Sequence, residues 1–137
     1  MSDTTLEGAI RSILLADAGV AALTTTVHSA TDPQKSSRPK LTYQRVTTRR
    51  DICNDGPLSL AVAVVQLDCW ADTDIAAKGL AEATRKALAG YVGVNGEIDI
   101  KCCRITAEGD ETSAPLPGAQ SPVQRVRLEV TVNFIDP

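Results

Sequence analysis

The side chains that could do chemistry are concentrated where one predicted element ends and the next begins. Asp68, Cys69, Asp72 and Asp74 lie there within seven residues, with Trp70 between them. A thiol beside a base can act as a nucleophile, and two close carboxylates can act as general acid and base. Both chemistries need a particular environment, which the rest of the sequence has to supply.

The thiol chemistry lacks its partners. A reactive cysteine needs a base or a positive charge beside it, whereas neighbouring aspartates would raise the pKa of Cys69. The chain has one histidine, His28, which lies in a polar segment. On the predicted strand, Cys69 shares a face with Leu67 and Ala71. A buried and unreactive side chain is therefore the favoured interpretation, and an activity that depends on Cys69 is the disfavoured one.

Helix formation accounts for most of the aspartates. Asp72 or Thr73 is placed to cap the helix that follows. Asp74 lies in the first turn of that helix, where the helix dipole favours a negative charge. Asp68 has no such explanation and shares a strand face with Trp70, so a solvated surface and a subunit contact both stay open. We predict no catalytic residue and no enzyme.

Motifs for metals and phosphates are missing from the sequence. The four cysteines, Cys53, Cys69, Cys102 and Cys103, form no C-x-x-C pair. Cys102 and Cys103 are adjacent on a predicted strand and point to opposite faces, so they are poorly placed to bind one metal ion. The glycines near residue 93 precede no Lys-Ser or Lys-Thr pair of a phosphate loop. We predict free thiols, no metal and no cofactor.

The composition is that of one globular domain, which we expect to span residues 1–137. A formal net charge of −3 and an aromatic content of 3% argue against a protein that binds nucleic acid through clustered cations or stacked bases. The same charge argues against an anionic membrane surface, and no apolar run is long enough to cross a bilayer. The start of the chain lacks a basic signal-peptide region. We expect a soluble protein without a membrane partner.

Hydrophobic periodicity predicts the elements that carry these side chains. A capping box, Thr4 with Glu7, starts a first helix, and a short helical turn follows over residues 17–23. Gly90 ends a later helix. That helix is predicted over residues 74–89, and four strands over residues 41–47, 60–71, 97–106 and 123–135. The fold class is α+β: a mainly antiparallel sheet of about four strands with helices packed on one face.

Two strands carry the strongest patterns. From Val126 to Phe134, apolar and polar residues alternate, which is typical of a half-buried antiparallel strand. At thirteen residues this strand spans roughly 43 Å, long enough to reach a neighbouring subunit. The strand over residues 60–71 is apolar on both faces in its first half, which predicts a central strand covered on both sides there. Long loops are predicted at 47–59 and 107–122, where function is expected.

The order of these features resembles the tail-completion, or tail-terminator, proteins of long-tailed bacteriophages. The resemblance covers nearly the whole chain. It is carried by the opening helix with LLADAGVAAL, by PKLTYQRV before the DGP turn, by VQLDCWADT running into the alanine-rich helix, and by the final RVRLEVTVNF.

The resemblance implies a structural virion protein that forms a homo-oligomeric ring, commonly a hexamer, at the head-proximal end of the tail. Such a ring stops polymerisation of the tail tube and docks the head connector, so its partners would be the tube protein and the connector or head-completion protein. Assembly would take place in the host cytoplasm. The alternative is a head-completion or neck protein on the portal side. DNA would pass through the pore without specific binding, which suits an acidic subunit because a basic lining would hold the phosphates.

Closure of a ring needs two different patches on each subunit. We expect them on the long last strand and on the segment over residues 47–59. The candidate subunit and partner interface residues are Arg49, Arg50, Asp51, Asp55, Asp68, Trp70, Arg125, Arg127 and Glu129.

Overall fold

The computed structural model describes residues 5–24, 27–29, 39–53, 56–113 and 123–135. Within these ranges the elements are α1 (Leu6–Ala16), α2 (Ala18–Ala21), β1 (Val27–Ser29), β2 (Lys40–Cys53), β3 (Gly56–Ala71), α3 (Asp74–Leu88), β4 (Gly93–Asn95), β5 (Ile98–Ser113) and β6 (Val123–Ile135). The strands form one sheet in the order β1-β2-β3-β6-β5-β4. All neighbours are antiparallel except β1 and β2. The predicted α+β class is confirmed.

The strands are longer and more numerous than predicted. The four long strands β2, β3, β5 and β6 match the four predicted ones, and β1 and β4 add three residues each at the margins. Residues 47–53, 56–59 and 107–113, which were predicted as loop, are strand. Residues 54–55 and 114–122 lie outside the described ranges. The prediction failed because charged and turn-forming residues mask the alternation, while pairing with β3 and β6 keeps these segments extended.

The first helix begins one residue later than the capping box predicts. Thr5 is the N-cap, and its hydroxyl oxygen accepts a hydrogen bond from the N–H of Gly8 at 3.1 Å. Glu7 instead accepts from Arg45 of β2, with Nη2 3.1 Å from Oε2. The carboxylate that was predicted to cap α1 therefore ties that helix to the sheet.

The limits of α3 follow the predicted signals. Thr73 caps the helix, accepting from the N–H of Ala76 at 3.2 Å, and Asp74 lies in the first turn. Gly90 follows the helix with φ of 76°, a left-handed conformation that favours glycine. The N–H of Gly90 also donates to the carbonyl of Cys103 at 2.9 Å, which attaches the end of α3 to β5.

The core lies between the helices and one face of the sheet. The inward-facing side chains of the two central strands are almost fully buried: Ala61, Ala63, Val65, Leu67, Cys69 and Ala71 of β3, with Val126, Leu128, Val130, Val132 and Phe134 of β6. The prediction that β3 is central is confirmed. The prediction that both of its faces are covered is wrong, because Val62 and Val64 are only half-buried and Leu60 is exposed. We call this second side, which holds residues 60 to 70 of even number and their cross-strand partners, the open face.

β-Bulges bend both outer long strands at two levels. β3 and β6 stay in unbroken register from Leu60 opposite Ile135 to Ala71 opposite Gln124. The register shifts lie in the strands on either side, at Arg45/Thr47 and Arg50/Ile52 of β2 and at Ile100/Cys102 and Ile105/Ala107 of β5. Because a bulge bends its strand and increases the twist, the two margins of the sheet curve around a regular centre.

Two glycine substitutions test this account of α3. Gly79 lies inside the helix, and an added Cβ would meet no atom within 4 Å, so we expect Gly79→Ala to raise the free energy of unfolding by about 0.5–1 kcal/mol. Gly90→Ala puts a Cβ on a residue in the left-handed conformation. We expect this variant to lower the free energy of unfolding by about 1–2 kcal/mol. Urea unfolding of both variants measures the difference, and equal shifts in the same direction would contradict the account.

Candidate assembly surface

The thiols are placed for packing rather than catalysis. Cys69 is fully buried, and its sulfur lies 3.9 Å from the hydroxyl oxygen of Thr84. Burial, with a smaller contribution from the charge of Asp68, raises the pKa of the Cys69 thiol to about 12, against the opposing effect of the Thr84 hydrogen bond. Burial also raises the pKa of Cys103 to about 12. Cys102 points to the open face and is half-buried, so the predicted opposite orientation of the pair is confirmed.

Cys69, Cys102 and Cys103 are free thiols, as predicted. The side chains of Cys53 and His28 lie outside the described part of the structure. Within the described ranges, no three His, Cys, Asp or Glu side chains come together in a group that could hold a metal ion. The helices described there are also too short or too polar to cross a membrane.

A group of polar side chains crosses the open face on adjacent strands. The register places Asp68 of β3 opposite Arg127 of β6, and Trp70 opposite Arg125. Gln66 is opposite Glu129, one step further along the same pair of strands. We call Asp68, Trp70, Arg125, Arg127 and Glu129 the Asp68 cluster. All five belong to the predicted interface set.

Asp68 is the most buried carboxylate of this cluster. Its side chain is 8% exposed. The amide nitrogen of Gln66 donates to both of its oxygens, at 3.1 and 3.3 Å. Burial raises the pKa of Asp68, against the opposing effects of the Gln66 hydrogen bond and the charges of Arg125 and Arg127. The two arginines thus offset only part of the cost of placing this charge in the sheet surface.

Trp70 is held in place by the strands on both sides. Its indole N–H donates to the hydroxyl oxygen of Thr42 on β2 at 2.9 Å. The guanidinium carbon of Arg125 lies 5.1 Å from the centre of the ring, and the amine of Lys40 lies 6.0 Å from it. Contacts of a cation with the face of an indole are favourable at such distances. The ring therefore forms a fixed, half-buried centre between two cations.

The other predicted interface residues are divided between the two faces. Arg49 pairs with Val62 and lies on the open face, away from the Asp68 cluster. Arg50 pairs with Ala61 and lies on the helix-covered face, with its guanidinium carbon 5.8 Å from the centre of the Phe134 ring. The side chain of Asp51 and the whole of Asp55 lie outside the described residues.

Sequence reasoning missed three residues of this surface. Lys40 and Thr42 of β2 contact Trp70, and Arg104 of β5 faces outward opposite Thr131 of β6. The residues next to them in the sequence form no pattern that would predict their place on this surface. Only the register of β2 and β5 against the central strands brings them to the open face.

The open face does not share the acidic character of the whole chain. Its described cations outnumber its described carboxylates: Lys40, Arg49, Arg104, Arg125 and Arg127 against Asp68, Asp99 and Glu129. The described side chains of this face therefore carry no excess of negative charge, although the net charge of the chain is −3. Much of the acidic charge lies elsewhere, for example at Glu82 on the exposed side of α3 and at Glu108 and Asp110 on the helix side of β5.

Comparison with known proteins gives a matching family model and similar solved structures. A family model described as "Tail completion protein gp17" matches residues 8–114. A chain from a solved structure described as "Virion of native gene transfer agent (GTA) particle" aligns with a TM-score of 0.75 and 21% sequence identity, covering 95% of this chain and 94% of that one. At this identity the likeness shows the fold. No curated protein matches the chain.

The environment of Asp68 predicts a pH-dependent stability. Because burial raises the pKa of this carboxyl in the folded state, the folded protein binds the proton more tightly than the unfolded chain does. The resulting stabilisation is lost as pH rises through the folded-state pKa. We expect the stability of the wild-type chain, relative to Asp68→Asn, to fall between about pH 4 and about pH 7. Urea unfolding at both pH values measures this, and an equal difference at both would contradict it.

Proposed function

Because the chain belongs to the tail completion protein gp17 family, whose members are structural virion proteins, we propose that it is a tail terminator. In this proposal, identical subunits form a ring, commonly of six, on the head-proximal end of the tail tube. The ring stops polymerisation of the tube protein and then docks the head connector. The family match over residues 8–114 is the observation that carries the proposal.

The distribution of covered and bare surfaces supports a subunit of a larger assembly. The helices pack on one face of the sheet, and in the described ranges no helix lies over the Asp68 cluster on the other face. We place the helices on the outer surface of the ring and the open face towards the pore, because the open face is the side of the sheet that no described helix covers. The Asp68 cluster then faces whatever occupies or enters the channel.

This orientation revises the expected relation between the pore and DNA. Arg49, Arg104 and Arg127 would lie at the channel wall, partly offset by Asp68 and Glu129. Arginines on such a wall contact phosphates, which carry no base sequence information. The proposal therefore keeps passage of DNA without specific binding, but replaces an acidic wall by one that contacts the backbone weakly and in a salt-dependent way.

The cross-strand register also decides which substitutions can test assembly. Arg127 lies directly opposite Asp68, so Arg127→Glu would place two carboxylates across one strand pair. Like charges in that position destabilise a sheet. If this variant formed no ring, either a failure to assemble or a failure to fold could be the cause. The predicted interface is therefore better tested at the margins of the sheet.

Electron microscopy of a phage whose copy of this gene is interrupted early tests the proposed function. We expect over-long tails, or finished tails separate from full heads, because no subunit would end the tube or join it to the connector. Wild-type chain supplied from a plasmid should restore normal virions, as should the Gly79→Ala variant. Normal virions without the chain would contradict the proposal. Full heads that leak DNA and lack a neck would instead favour the portal-side alternative.

A further inference from the structure

In the described part of the chain, two long strand edges have no strand partner, one at each margin of the sheet. β1 pairs with β2 only from Leu41 to Tyr43. β4 pairs with β5 only from Ile98 to Ile100, and the N–H of Gly90 bonds the carbonyl of Cys103 just beyond. Among the described residues, no further strand pairs with the outer edge of β2 over 44–53 or of β5 over 104–113. Long open edges of this kind are templates for another chain.

The directions of these two edges suit each other. β2, β3, β6 and β5 are each antiparallel to the next, so β2 and β5 run in opposite directions within one subunit. The rotation that relates neighbouring copies of a closed ring preserves those directions relative to the continuous sheet. The β5 edge of one copy would then meet the β2 edge of the next as an antiparallel pair. Two different edges that meet in this way form the heterologous contact that a closed ring requires.

The charges on the helix side of the two edges are also complementary. On that side the β2 edge carries Arg50, with Arg45 already paired to Glu7, and the β5 edge carries Glu108 and Asp110; the arginines Arg49 and Arg104 lie on the open face. Arg50 lies on the helix side of the sheet, opposite Ala61, and Glu108 lies on the same side, opposite Leu128. Lys78 of α3 offsets part of this acidic charge, since its amine is 3.4 Å from Asp110.

We propose that the outer edge of β2 in one subunit pairs antiparallel with the outer edge of β5 in the next, with Arg50 beside Glu108. The sheet then continues from copy to copy around the ring. The inference rests on the proposed ring and names its subunit contact. It assigns the predicted interface residue Arg50 to the contact between copies, and Arg49 and the Asp68 cluster to the channel wall.

The short marginal strands set the stagger between copies. If two neighbouring copies stood at the same height, the uncovered part of the β5 edge in one copy would mostly lie beside the part of β2 that β1 covers in the next. The uncovered part of the β2 edge would likewise lie mostly beside the part of β5 that β4 covers. In the β3 register, Arg50 is level with Ala61 and Glu108 is level with Leu67. Six residues separate these levels, roughly 20 Å, and four strands span about 19 Å across the sheet. The implied tilt of about 45° agrees with the tilt of roughly 35–45° in closed barrels.

Reversal of the paired charges tests the edge contact. Arg50→Glu and Glu108→Arg should each lower the fraction of chains in the ring by about fivefold or more in native mass spectrometry, because each variant sets like charges against one another in every contact. The double variant should restore the ring. Lys86→Glu reverses a charge on the exposed surface of α3 and should leave the ring fraction unchanged. Circular dichroism of each variant checks that the subunit is folded.

Hydrogen exchange gives a second readout that needs no substitution. Backbone amides over 44–50 and 104–110 should exchange more slowly in the wild-type ring than in the dilute monomer. A ring in which these amides are unprotected, or a double variant no better than the single ones, would overturn the edge contact and leave the tail-terminator proposal standing. A wild-type chain that forms no ring, in a phage that makes normal virions without it, would overturn both.

Discussion

The unbroken pairing of β3 with β6 is the constraint on which the rest of the structure depends. Twelve consecutive residue pairs, from Leu60 opposite Ile135 to Ala71 opposite Gln124, hold the two strands in register. Because side chains alternate between faces, a slip by one residue would turn the buried row from Val126 to Phe134 to the outside. The register therefore fixes which face the helices cover. The outer strands β2 and β5 then attach to the two free sides of this pair.

The same register that builds the core also arranges the polar surface opposite it. Asp68 faces Arg127 and Trp70 faces Arg125 because their inward neighbours, Leu67 with Leu128 and Cys69 with Val126, must meet in the core. Asp68 is buried as a result, and the nearby cations and Gln66 only partly offset the raised pKa. The charge pattern of the open face is thus tied to packing, and a substitution there acts on folding whatever else this face does.

The outer strands of the sheet are held by less strand pairing than the central ones. For most of its length β2 is paired only with β3, and β5 only with β6, and both outer strands are bulged where the central pair is regular. Strands held from one side retain backbone donors and acceptors that another chain can use. In the proposed ring, each subunit would contact copies of itself and other virion parts. Curved margins with open edges would provide such contacts without enlarging the core.

Local patterns in the sequence were sufficient for much of this fold. Alternation identified β6 from Val123 to Ile135, helical spacing with Thr73 and Gly90 identified α3, and the apolar neighbours of Cys69 identified a buried thiol. Only the tertiary structure decided the rest. It extended β2 and β5 through residues predicted as loops, separated Arg49 from Arg50, and brought Lys40 to Trp70. The physical reason is that hydrophobic periodicity is local, whereas register and strand edges depend on hydrogen bonds between segments far apart in the chain.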